Sequence, residues 1–126
     1  MKKIITTQNA PAPIGPYNQA ILSGNTLYTS GQIAFNPKTN VLVLDDIKTE
    51  TKQVMENLKA VLEAASMTFT NVIKSSIFIS DMDDFALINE VYGSYFNDDD
   101  APARETVQVA RLPKNVNVEI SMIAVK

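Results

Sequence analysis

From residue 47 onward the apolar positions fall into a regular stripe. Ile47, Thr51, Val54/Met55, Leu58, Val61/Leu62 and Ala65 recur at i, i+4, i+7/8, i+11, i+14/15 and i+18. That is the period of an α-helix with one buried face. Asp45-Asp46 stands just ahead of it and offers a cap and a charge of favourable sign at the N-terminus. The pattern then changes. Val72 to Ser80 is rich in β-branched residues, with Ile73, Ile77 and Ile79 on one parity, which predicts a strand. A second helix is expected from about Asp83, where Phe85, Ile88, Tyr92 and Tyr95/Phe96 recur at helical spacing, and the acidic loop Asn97 to Asp100 ends it. Two strands close the chain, Glu105 to Leu112 and Val116 to Val125, joined by a turn at Pro113-Lys114-Asn115.

The first third reads as short strands over residues 2–6, 19–23 and 25–30, the last ending at Gly31. Asn36 to Asn40 is a turn, and Pro11 to Tyr17, rich in proline, is an ordered extended loop. The order βββ-α-β-α-ββ implies an α+β fold in which two helices cover one face of a mixed sheet of about six strands. Two helices cannot cover both faces. The other face, expected to be largely apolar, points to an oligomer.

Composition narrows the chemistry. The 126 residues make one domain, spanning 1–126, large enough to bury a core without disulfides or a structural metal. There is no His, no Cys and no Trp. Imidazole acid–base pairs, Ser-His-Asp triads, thiol nucleophiles and most zinc and haem sites are therefore excluded. Catalysis would have to run on carboxylates, Tyr, Lys, Arg, hydroxyls, backbone groups or ordered water. The net charge of −3, with two Arg and nine scattered Lys, offers no basic stripe for nucleic acid. No apolar run approaches the ~18–20 residues of a spanning helix, and the N-terminus lacks the apolar core of a signal peptide. The expected compartment is the cytoplasm, with no membrane role. Neither GxGxxG nor a P-loop occurs, and the acidic runs at Asp81–Asp84 and Asp98–Asp100 lack the EF-hand pattern. No cofactor or metal is expected.

Five positions could carry chemistry. Arg104 follows Pro102-Ala103 at a strand start, where a rigid support could present its planar fork to a carboxylate or phosphate; a surface Arg paired with Asp98–Asp100 is the plainer alternative. Glu119 shares a strand face with Asn117 and Ser121, as a solvated or interface carboxylate or, in a cleft, as a base that orients water. Ser30-Gly31 ends a strand, where the missing Cβ leaves room for a ligand or merely makes a turn. Tyr17 stands on the rigid Gly15-Pro16 loop, either in the core or in a cleft. Asn89 lies beside Ile88 on the second helix, with simple solvation as its default.

Taken together these positions have a familiar order. Ile14-Gly15-Pro16-Tyr17, Ser30-Gly31-Gln32-Ile33, Asn36-Pro37-Lys38-Thr39, Pro102-Ala103-Arg104, Val109-Ala110-Arg111-Leu112-Pro113-Lys114 and Val118-Glu119-Ile120 resemble the RidA (YjgF-like) family of reactive-intermediate enamine/imine deaminases. The resemblance covers essentially the whole chain. It implies a chorismate-mutase-like α+β fold and a homotrimer with its sheets facing inward and ligand clefts between subunits. It also implies a 2-iminobutanoate/2-iminopropanoate deaminase that turns enamines and imines such as 2-aminoacrylate into 2-oxo acids and ammonia. By the same resemblance Arg104 binds the substrate carboxylate and Glu119 positions water. Tyr17, Ser30, Gly31 and Asn89 line the cleft, and Val107 stands where many members carry Cys and offers its backbone N–H. Two departures stand out: Glu105 adds negative charge beside the anion site, and Ser66 stands near the helix end where a Gly is usual. A non-catalytic carboxylate sensor or partner-binding regulator of the same fold is the alternative. The ribonuclease activity described for some members fits poorly with a His-free acidic chain. Counting from the Pro113–Asn115 turn puts Arg104 about eight and Glu119 about three residues out. That is on the order of 15–18 Å along the sheet, so if both residues serve one ligand they must come from different subunits.

Overall fold

The computed structural model describes residues 1–126. Three short antiparallel strands open the chain: β1 (Lys2–Ile5), β2 (Ala20–Ser23) and β3 (Thr26–Thr29). A small hairpin, β4 (Phe35–Asn36) and β5 (Val41–Leu42), flanks the expected turn. Then come α1 (Ile47–Ala64), β6 (Val72–Ile79), α2 (Phe85–Gly93), β7 (Ala103–Gln108) and β8 (Val118–Val125). The main sheet has the order β1-β2-β3-β8-β6-β7, with β6–β7 its parallel pair. This is the chorismate-mutase-like α+β arrangement, with both helices on one face. No helix is long and apolar enough to cross a membrane.

The helix α1 forms where its stripe and cap agree. Asp46 accepts from the Thr49 N–H at 2.8 Å and from the Thr49 hydroxyl at 3.0 Å. The Thr49 backbone bond above all holds the Asp46 carboxyl below its usual pKa. Val54, Met55, Leu58, Val61 and Leu62 are fully buried against Ile77, Ile79, Val118, Ile120 and Met122. Removing one of these large side chains would cost roughly 2–5 kcal/mol. The helix ends at Ala64 with Ala65 as its C-cap, and Ser66 just beyond has a φ of 60°, the left-handed conformation that glycine adopts most cheaply.

Several expectations need correction. The strand expected over Glu105 to Leu112 begins earlier and ends at Gln108, so Arg104 lies inside β7. It does not pair with the strand that follows it. β6 inserts between β7 and β8, and Pro113–Asn115 is a 3₁₀ turn that carries the chain across. The second helix starts at Phe85 after a 3₁₀ turn at Met82–Asp84, and ends at Gly93. Tyr95 and Phe96 lie beyond it, with Phe69 stacked on both and Phe96 on Tyr92. Ile73 does not share the buried face of Ile77 and Ile79. The β6–β8 register slips between Val72 and Lys74, and this bulge leaves Ile73 48% exposed and Val72 in the core.

The face away from the helices is mixed and not largely apolar. Following the register, Ile4, Ile21, Tyr28 and Ile123 form an apolar row that ends at Lys74. The next row on this face is polar, Ser121-Ser76-Glu105, and beyond it lie Glu119, Phe78 and Val107.

Candidate active site

The two charged candidates stand on opposite faces of the sheet. Arg104 is in register with Ser75, which in turn faces Met122; both of these are buried toward the helices. Alternation along β7 therefore sends Arg104 under α2. Its Nη1 donates to Asn89 Oδ1 at 2.6 Å. Its guanidinium carbon lies 5.6 Å from the Phe85 ring centroid and 5.2 Å from that of Tyr92. Phe85, Asn89 and Tyr92 recur at i, i+4 and i+7 on one face of α2, so a single helix face grips the fork. Tyr92 is itself fixed, its hydroxyl donating to Ser75 Oγ at 2.9 Å, and burial pushes that phenol's pKa up. Asn89 thus touches the arginine directly, and one of five guanidinium donors is spent on it. Arg104 remains exposed. Glu105 does not fold over it. Its side chain points to the other face, hydrogen-bonded by Ser76 and paired with Lys74. The Lys74 contact first, then Ser76, holds its carboxyl low.

Glu119 is in register with Phe78, whose other neighbour is Val107, and projects from the open face. It is partly buried and makes no hydrogen bond or ion pair within the chain, and desolvation raises its pKa above the ordinary carboxylate value. Gly31 packs against it. A Cβ built on Gly31 would lie 2.6 Å from Glu119 Oε2 and 2.7 Å from its carboxyl carbon. The neighbouring Gln32 exchanges both backbone bonds with Ile120, at 2.8 and 3.1 Å, which locks Gly31 beside that carboxylate. Gly31 and Tyr17 both line an open cavity of about 360 Å³, together with Pro11, Ile14, Ile33 and Phe35. Tyr17 is 48% exposed, and its hydroxyl accepts from the Ile14 N–H at 3.4 Å.

The sequence is matched over residues 7–126 by the family described as endoribonuclease L-PSP. A RutC family protein of Pyrococcus horikoshii is 54% identical over 126 residues, covering 100% of this chain and 99% of that one. A 2-iminobutanoate/2-iminopropanoate deaminase of Escherichia coli is 46% identical over 128 residues, covering 100% and 99%. A structure of a conserved Rid family protein from Yersinia pestis superposes with a TM-score of 0.97 at 45% identity over 100% of both chains. The chain belongs to the Rid family.

In this Rid protein two other candidates are less free than expected. The Ser30 hydroxyl donates to Asn18 O at 2.5 Å, and its N–H donates to Gln19 O at 2.9 Å, so Ser30 ties β3 to the proline-rich loop. Val107 faces the open side. Val109 donates to Ile79 O, and alternation on the parallel ladder turns the Val107 N–H the same way, toward β6. The amides that look off the free edge of β7 are those of Arg104, Thr106 and Gln108.

Three buried polar side chains frame the site. Gln19 accepts from the Thr7 N–H and donates to the carbonyls of Thr7, Ala10 and Pro11, which fastens the proline-rich loop. Asn57 donates to the Ile33 and Phe35 carbonyls behind the cavity. Glu50, fully buried, accepts from the N–H groups of Asn117 and Val118 and from the Asn117 side chain, just ahead of Glu119. The only hint in the sequence was a spacing of seven between Glu50 and Asn57 along the rim of the α1 stripe.

The contact at Gly31 yields a prediction. Gly31→Ala forces the Glu119 carboxylate to move, and activity should fall on the order of 10²-fold, as expected when a reacting group is misplaced by about 1 Å. The fold should survive, since the obstacle is a side chain. Turnover measured beside a thermal melt checks this, and unchanged turnover would show that Glu119 need not occupy its present position.

Proposed function

We propose that this Rid protein hydrolyses 2-imino acids, and the enamines that tautomerise to them, to 2-oxo acids and ammonia. It does so as a homotrimer whose sites lie between subunits. The observation that carries the proposal is the pairing of a clamped, exposed guanidinium with a bare, desolvated carboxylate in a chain that has no His or Cys. The substrate carboxylate is held by the free donors of Arg104. Water oriented by Glu119 adds to the carbon of the C=N bond, and Glu119 takes the proton that this water loses. The nitrogen is protonated, ammonia leaves with the C–N bonding electrons, and the oxygen becomes the keto oxygen. Imine hydrolysis is fast without an enzyme, so orientation and one base are sufficient help.

The relative named as a 2-iminobutanoate/2-iminopropanoate deaminase supports this reading. The family description as an endoribonuclease has little physical support here, with no histidine and a net charge of −3. The test couples a pyridoxal-phosphate dehydratase that releases 2-aminoacrylate to 2-oxo acid detection. Adding the wild-type protein should accelerate 2-oxo acid release, whereas Arg104→Ala should not. Arg104→Lys should recover little, because it keeps the charge and loses the fork. No acceleration by wild type, with 2-oxo acid binding intact, would favour a carboxylate sensor.

A further inference from the structure

Glu50 projects from α1 into the interior, and no step of the chemistry uses it. It is fully buried, and no Lys or Arg is paired with it. Taking a carboxyl away from both water and cations is costly unless other donors replace them. Here the donors all come from the two residues ahead of Glu119. The Asn117 N–H donates to Glu50 Oε2 at 2.7 Å and the Val118 N–H to the same oxygen at 3.2 Å, while Asn117 Nδ2 donates to Oε1 at 2.8 Å. An apolar side chain could have filled this core position, so the carboxyl calls for an explanation.

The start of β8 supplies one. Consecutive N–H groups of an extended strand point to opposite edges, yet here two of them converge on one oxygen. Glu50 therefore holds a bend where β8 begins. Asn117 is held from its other side as well, its carbonyl accepting from the Ser80 N–H at 3.0 Å and its Oδ1 from the Ser80 hydroxyl at 3.2 Å. One residue past Glu119, Ile120 exchanges both backbone bonds with Gln32. Glu119 is thus the single residue between two anchors. Its own carboxylate has no partner in the chain, so the backbone on either side and the gap at Gly31 decide where it points. The Gln32 anchor fixes the Gly31 wall, and the Glu50 anchor fixes the approach of the strand.

We infer that Glu50 is a positioning residue for the reaction, aiming the Glu119 carboxylate by fixing the backbone of Asn117 and Val118. The inference rests on the reading of Glu119 as the base. It assigns Glu50 to the Glu119 half of a shared site and not to the Arg104 half, so Glu50 acts on turnover and leaves carboxylate binding alone. The role needs reach and acceptors, not charge. Glutamine meets it, with Oε1 taking both N–H groups and its amide donating to Asn117 once that side chain turns over. Aspartate is one methylene short, so the strand must either follow it or lose the bonds.

The experiment measures turnover, 2-oxobutanoate binding by calorimetry and thermal melts for wild type, Glu50→Asp and Glu50→Gln, and then refolds mixtures. Glu50→Asp should turn over about 10²-fold more slowly, the loss for a reacting group misplaced by about 1 Å, and bind 2-oxobutanoate like wild type. Glu50→Gln should stay within about fivefold of wild-type turnover, the scale of one hydrogen bond. Refolded with Arg104→Ala, Glu50→Asp should recover about a quarter of the activity of similarly treated wild type; refolded with Glu119→Ala, it should stay at its own level or below. A merely destabilised chain shows no such asymmetry. Recovery with Glu119→Ala, or with both partners or neither, overturns the inference. So does wild-type turnover in Glu50→Asp, an equal loss of turnover and binding, or a Glu50→Gln as slow as Glu50→Asp. Should Glu50→Asp not refold, Asn117→Ala, which removes one of the three contacts, goes through the same mixtures under the same criteria. If Arg104→Ala and Glu119→Ala do not complement each other, the shared site falls, and the split between turnover and binding decides for Glu50. If Glu119→Gln keeps its turnover, the base reading falls and this inference with it, whereas an inactive Glu119→Gln beside a fully active Glu50→Asp removes Glu50 alone.

Discussion

Refolding an equimolar mixture of Arg104→Ala and Glu119→Ala chains is expected to restore activity that neither variant has alone. The reason is the geometry of one subunit. Arg104 is in register with Ser75, and Glu119 with Phe78, three residues further along β6. Three residues at ~3.3 Å and two strand spacings of ~4.8 Å put their backbones roughly 14 Å apart. The faces matter more than the distance. Arg104 lies under α2, and Glu119 leaves the opposite face. A three-carbon acid held by Arg104 cannot reach the Glu119 of the same chain through the sheet. In the proposed homotrimer, a ring of three head-to-tail interfaces, each site would take Arg104 from one chain and Glu119 from the next. Random mixing then leaves about a quarter of sites with both residues. Activity near that fraction of similarly treated wild type is the expected outcome. Mixtures as inactive as their parents, with wild type recovering, would mean that the two residues do not serve one shared site.

How much of this was legible depended on how local the signal is. The helix α1 was readable because its register repeats over five turns and its cap lies one residue away. The strand β7 was harder. Arg104 reads as preceding the strand because Pro102 and Ala103 carry no β pattern, yet Ala103 already pairs with Lys74. Neighbours in sequence also need not pair. The parallel β6–β7 contact is made through α2, so nothing near Pro113 reveals that β6 intervenes. That crossing is what fixes the face on which Arg104 emerges. Glu50 and Gln19 look like solvated residues because their partners lie 67 and 12 positions away. Ile73 was misplaced by a one-residue bulge, which reverses every side-chain direction before it. Arg104, Glu119, Tyr17 and Gly31 stand out as candidates from their local setting, and the family motifs supply the roles proposed for them. The grip of Phe85 and Tyr92 on Arg104, and the vacancy that Gly31 leaves for Glu119, needed three dimensions.

Glu119→Gln is expected to separate chemistry from binding and to do so with opposite effects on rate and stability. The amide keeps the shape and loses the base, so imine hydrolysis should fall by about 10²–10⁴-fold. Binding of a 2-oxo acid at Arg104 should persist. Because burial raises the Glu119 pKa, the acid limb of the wild-type rate profile should lie above the ordinary carboxylate value of 4.5 and be missing from the residual activity of the variant. The stability effect has a defined sign. A carboxyl with a raised folded-state pKa contributes stability below its unfolded pKa, and that contribution is lost as pH rises through the folded pKa. At neutral pH the ionised Glu119, without a partner in the chain, is therefore a liability. The variant should melt above wild type at pH 7, and the gap should close as pH falls below the ordinary carboxylate range. Melting curves across this range, run beside rate profiles, make the test. A stability gap with turnover unchanged would leave Glu119 as a strained carboxylate outside the chemistry, and equal loss of turnover and of 2-oxo acid binding would make it a binding group and not the base.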